Sequence, residues 1–191
     1  MPVRSLVSRI LTQQFGMGMN FSNPQSLTAE NFTPLVEVDM DASVFGASWS
    51  HCDHLSSYVA RMVSHNRSDS LLYSNLLSSA LNELLETAFR THAAPGKFRC
   101  RLWRHGAVDR VELIIPCQAE QVQFYLETIA MARRTDAVER YRNMLFSEDS
   151  FDTRTGLLEL AVDYAAEISA SPDGEHAIRL IADLTLEAAG H

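Results

Sequence analysis

The stretch LNELLETAFRTH, residues 81–92, concentrates side chains that could do chemistry. Asn82, Glu83, Glu86 and Thr87 fall within little more than one helical turn. On a helix, residues three or four apart share a face, so their oxygens would be neighbours. A carboxylate in that position can polarise a water molecule or carry a proton. Carboxylate, carboxamide and hydroxyl oxygens are also the donors a hard cation such as Mg²⁺ prefers. A second reading uses the same residues. Leu77, Leu81, Leu84, Leu85 and Ala88 trace an apolar side, so the polar group could be the charged outer face of an amphipathic core helix. The segment is a nucleotide site, the remnant of one, or a core helix with a solvated face.

Other candidates are weaker. His51, Cys52, Asp53 and His54 form HCDH, with the two histidines three apart. No second ligand pair follows at zinc-site spacing, so this reads as a helix start. Serines are frequent in 64–79, yet no G-x-S-x-G elbow accompanies them. Arg99, Arg101, Arg104 and Arg110 surround the turn RHGAVD and make the basic patch of the chain. They form either a solvent-facing strand surface or a docking face for an acidic partner. Cys52, Cys100 and Cys117 form no CxxC pair and read as buried reduced thiols.

The elements that must position these residues follow from periodicity. PLVEVDM alternates apolar and acidic residues and reads as a strand. Ser50 caps a helix carrying Leu55, Tyr58, Val59 and Met62 on one face. A longer helix starts near Asp69 and ends at Pro95–Gly96. KFRCRLW and RVELIIP make a hairpin that turns at Gly106. Helices are expected at about 118–133, 136–147 and 155–166. SPDG then turns the chain into a last strand with Ile178, Leu180, Ala182, Leu184 and Leu186 on one side. The order β-α-α-β-β-α-α-α-β-β predicts an α+β fold: a two-layer sandwich, its sheet mixed or antiparallel, with helices on one face. Residues 1–32 read as an N-terminal arm with a short helix near 3–14, and 33–191 as one domain.

Composition narrows the function. The chain has 191 residues, 46% hydrophobic and 21% charged, as in globular domains. A net charge of −8 disfavours nucleic-acid binding, which needs clustered Lys and Arg. No apolar run approaches the roughly 20 residues of a membrane span, and the N-terminus does not read as a signal peptide. A cytoplasmic protein without membrane or nucleic-acid partners is expected.

The order of elements, with NELLETAFR before one hairpin and TGLLELAVDY before a second, resembles the histidine-kinase-like (GHKL) ATPase superfamily. The resemblance covers about residues 33–187. It is closest to small stand-alone bacterial regulators of the SiaB type, whose motifs read roughly N-E-L-L-E-N-A-x-K and S-G-L-G-L-L-x-x-x-x-D-Y. It implies an ATP and Mg²⁺ site. Glu83 takes the water-polarising position, Thr87 stands where the metal-binding Asn would be, and Gly156 belongs to the phosphate loop, with Asn82 and Glu86 beside them. The chain departs at three places. Thr87 replaces Asn, Leu158 replaces a phosphate-loop glycine, and IIPCQAEQ lacks the Asp-x-Gly-x-Gly that holds adenine.

The resemblance therefore implies a signalling regulator that keeps the fold with weakened or lost ATP binding, without a resident metal. It would act in partner switching by contacting a small STAS-like or SiaC-like protein, through Arg99, Arg101, Arg104 and Arg110 among others. Its sheet edges could also support a homodimer. The alternative is an active ATP- and Mg²⁺-dependent Ser/Thr protein kinase on such a partner. There Glu83 would be catalytic, with Asn82, Glu86 or Thr87 helping to hold the cation.

Overall fold

Period-two patterning builds the sheet. The computed structural model describes residues 31–91, 94–146 and 152–186. Its strands are β1 (Thr33–Asp41), β2 (Lys97–His105), β3 (Val108–Pro116), β4 (Glu167–Pro172) and β5 (Ala177–Thr185). They lie in the order β1-β2-β3-β5-β4, each antiparallel to its neighbours. The fold is thus α+β, with a sheet that is antiparallel throughout. From Thr33 onward the described residues form one compact unit. The expected helix near 3–14 lies outside the described residues.

Side chains alternate across each strand. Phe98, Cys100 and Leu102 of β2 share a face with Val111, Leu113 and Ile115 of β3 and Ile178, Leu180, Ala182 and Leu184 of β5, all buried in the core. The opposite face carries Glu37, Asp39, Arg99, Arg101, Arg110, Glu112, Arg179 and Asp183, linked in cross-strand ion pairs. The β2–β3 turn has two residues between His105 and Val108. Gly106 takes φ +58° there, a conformation open to glycine at little cost. The SPDG turn behaves alike, with Gly174 at φ +74°.

Among the described residues, six helices supply the other layer: α1 (Ala42–Phe45), α2 (Ser50–Ser64), α3 (Ser70–Arg90), α4 (Ala119–Ala132), α5 (Ala137–Phe146) and α6 (Thr155–Asp163). The sequence reading has no counterpart for α1. Asp41 nucleates it by accepting from the Ser43 N–H at 2.9 Å. For α3 the expected apolar side is the observed one: Leu77, Leu81, Leu84, Leu85 and Ala88 are all buried. Asp69 does not cap α3 with its side chain. Its carboxylate is taken by Arg67, at 2.8 and 3.0 Å.

The face expected for α2 is corrected. Val59 is buried, but Tyr58 and Met62 are exposed, at 63% and 42%. The helix buries Cys52, Ser56, Ala60 and Ser64 instead. These recur every fourth residue, and α2 meets α3 beside them, where Ser57 and Ser78 lie 3.4 Å apart. Hydrophobic periodicity pointed to the bulky stripe; the fold buries the small one.

Candidate functional site

The polar residues of α3 divide into two adjoining stripes. In the first, Asn82 Nδ2 donates to Glu86 Oε1 at 2.6 Å, and Arg90 donates to Glu86 Oε2 at 2.9 Å. Arg90 also lies over the Trp49 ring, 4.7 Å from its centroid, and Trp49 packs edge-on against Phe89. Glu86 is buried despite its charge, and these two donors offset the desolvation. Asn82 Oδ1 is buried with no hydrogen-bond partner.

The second stripe holds Glu83 and Thr87, and here the structure brings together three residues that the sequence reading grouped. Gly156, in the first turn of α6, lies directly against them. A Cβ on Gly156 would stand 2.8 Å from Thr87 Oγ1, 3.1 Å from Glu83 Oε2 and 3.2 Å from the Glu83 carbonyl oxygen. The glycine is there because α3 and α6 approach too closely for a side chain. Thr87 is 2% exposed, and its hydroxyl donates to the Glu83 carbonyl at 2.9 Å. Leu157 and Leu158, the residues after Gly156, are buried.

The residues that the resemblance places around a nucleotide are packed against one another. The Thr87 hydroxyl proton is committed within its own helix, and Glu83 and Thr87 leave no room for a side chain at Gly156. At the place of the missing adenine-binding motif, Ile115, Pro116 and Cys117 are buried. The chain then enters α4 through a reciprocal Gln118–Gln121 capping box.

A group of acids and tyrosines flanks the same contact. Tyr141 of α5 is buried and donates to Asp163 Oδ2 at 3.0 Å. Burial raises the Asp163 carboxyl above its ordinary value, against the opposing effects of Tyr141 and Arg142. Burial, with the charges of Glu159 and Asp163 behind it, likewise raises Tyr141. Burial pushes Tyr164 up to about 12, with Glu159 adding to it. Glu83 bears on both tyrosines, so α3, α5 and α6 converge here. The segment MARRTDAVERYRNM thus contributes α5 as a helix seated on α6 by Tyr141.

Of the arginines grouped as a basic patch, Arg99, Arg101 and Arg110 share the open face of the sheet. Each is neutralised there. Arg99 binds Asp39 at 2.6 Å, Arg101 binds Glu37 and Glu112 at 3.1 Å, and Arg110 binds Asp183 at 2.7 Å. Arg104 falls at the alternate position and turns to the helix side.

Arg104 belongs to a cluster that the sequence did not suggest. Asp109 is only 2% exposed on the core face. It accepts from Tyr73 at 2.7 Å and from Arg104 Nε at 2.8 Å. Arg104 also donates to the Tyr73 hydroxyl, and Arg67 lies over the Tyr73 ring at 4.1 Å. Tyr73 and Asp109 are 36 residues apart, and no local spacing could have paired them. The available signal was one acid, Asp109, at an inward position of an alternating strand.

The HCDH group does not converge. Cys52 points into the core, whereas His51 Nδ1 lies 3.2 Å from the Phe45 carbonyl and His54 faces out. Among the described residues, no group of three His, Cys, Asp or Glu side chains is arranged to hold a metal. The three cysteines are free and buried. Burial pushes Cys52 and Cys100 up to about 12 and Cys117 to about 11, which keeps them as unreactive thiols. No helix among the described residues is long and apolar enough to cross a membrane. Surface depressions among the described residues include one along the outer side of α2 from His54 to His65 and one beside β4 between Arg133 and Asp183. Neither includes Glu83, Thr87 or Gly156.

Comparison of the chain with family models, curated proteins and solved structures finds no match.

Proposed function

We propose that this protein is a regulator acting by protein–protein contact, built on a histidine-kinase-like domain whose nucleotide site is degenerate. The observation that carries this reading is the closure of α6 onto α3. Gly156, Thr87 and Glu83 lie together, as the resemblance implies, but they fill one another's space rather than surround a ligand. The partner class is the one the resemblance suggests: a small STAS-like or SiaC-like protein in a bacterial signalling pathway.

Thermal denaturation with and without saturating ATP–Mg²⁺ tests this reading. A tight ligand would stabilise the fold by about 2–4 kcal/mol, so the expected result is no shift in Tm. A clear upward shift, abolished by Glu83→Ala, would overturn it in favour of a Ser/Thr protein kinase with Glu83 as catalytic residue.

A further inference from the structure

We propose that the outer edge of β1 is a docking site for an extended protein segment that alternates basic and apolar side chains. The proposal rests on the protein-contact reading above and names where and how a partner binds.

The two edges of the sheet are unlike. At the β4 edge, Arg133, the residue after α4, donates to the Ile168 carbonyl at 2.9 Å, and Pro172 brings no N–H. Such features blunt an edge against further pairing. At the other end, no described strand pairs with the outer side of β1. The register shifts between Pro34 and Val36, so the regular edge is the six residues from Val36 to Asp41.

Both faces of that edge specify an occupant. On the helix side, Val36, Val38 and Met40 are only partly buried against the core, so an added strand would cover them with apolar residues. On the open side stand Glu37 and Asp39, whose side chains are 50% and 45% exposed, followed by Asp41. Charge along that face changes sign from strand to strand. Glu37 faces Arg101, which faces Glu112; Asp39 faces Arg99. A strand outside β1 continues this order by presenting Lys or Arg opposite Glu37 and Asp39. Cross-strand opposite-charge pairs are favourable and like pairs are not. A second copy is therefore disfavoured, because β1 against β1 sets one acidic row beside another. In strand addition, main-chain hydrogen bonds supply affinity and alternate side chains supply specificity.

The probe is a blocked seven-residue peptide of alternating Lys and Val. Its controls are an alternating Glu and Val peptide and a Lys–Val peptide N-methylated at alternate residues. Binding to the full chain is measured by calorimetry, and the site by amide hydrogen exchange. The basic peptide should bind at least about tenfold more tightly than the acidic one. It should slow exchange at outward amides of residues 36–41 by at least about tenfold, and N-methylation should abolish both effects. Equal binding of the two charge types, binding without protection of β1, or no binding would overturn the proposal. So would β1 amides already protected in the free protein, whether a monomer (the chain covers its own edge) or a dimer by sedimentation (a second copy does). The ATP measurement is independent of these results, so the partner reading and the edge proposal fail separately.

Discussion

Helix α3 carries two polar regions, and they are built on opposite plans. Near its start, Tyr73 and Asp109 with Arg104 form a buried network whose members come from three elements. Near its end, Glu86 and Thr87 satisfy themselves on the helix that bears them, through Asn82, Arg90 and the Glu83 carbonyl. The first region joins the helix to the β2–β3 hairpin by charge. The second is polar yet joins its neighbour by closeness, with the bare backbone of Gly156 against Glu83 and Thr87. Polar residue types at ligand-like spacing can thus be committed to one another within a single helix. What their donors and acceptors are committed to decides their role.

The contrast can be broken most forcefully at Asp109. Asp109→Ala removes one side of a buried pair and strands Arg104 and Tyr73. Such a change costs about 3–5 kcal/mol, read as a drop in denaturant midpoint. A loss under 1 kcal/mol would mean the network holds little and that the two regions are alike. The next largest effect is expected at Gly156. Gly156→Val forces α6 away from α3 and should cost about 1–3 kcal/mol by overpacking. A neutral outcome in the same urea titration would show that the helices have room to part, and with it room for a ligand.

The smallest effect concerns pH. The Asp163 carboxyl beside the second region has a raised pKa from burial. The folded state holds its proton longer than the unfolded chain, where the ordinary value is 3.8. Its linkage makes stability fall as pH rises from there through the raised folded value. Asp39, Asp41, Asp69 and Asp136 run the other way. Their pKa values are lowered, Asp136 to about 2, by hydrogen bonds to Arg or Ser partners. They lose stability as pH falls. The difference between Asp163→Asn and the parent protein isolates the first effect. The variant should gain on the parent between pH 4 and pH 7 in urea midpoints. A constant difference across that range would remove burial as the cause.

The comparison also marks what could be read in advance. The grouping of Glu83, Thr87 and Gly156 was legible because residues four apart on a helix must be neighbours, and the resemblance supplied the glycine. That Glu86 would be spent on Asn82 and Arg90 was not, though the i to i+4 spacing of Glu86 and Arg90 was in view. Choosing among helical partners requires knowing which side is buried, and Trp49 over Arg90 settles that from a distant segment. Arg104 was grouped with Arg99, Arg101 and Arg110 by proximity in sequence. Strand parity places it on the other face, as Asp109 beside it shows.

What the chain determined alone was whatever depends on short repeats. Alternation placed the strands, their core face and the charged outer face. The apolar side of α3, the breakers Gly106 and Gly174, and the buried state of all three cysteines followed in the same way. Tertiary structure decided the rest. It selected the small-residue side of α2, paired Tyr73 with Asp109, and set Gly156 of α6 against Glu83 and Thr87 of α3. The reason is one of range. Periodicity reports how a residue sits relative to its near neighbours, whereas interhelical distance and charge satisfaction depend on groups tens of residues away that meet only when the chain is folded.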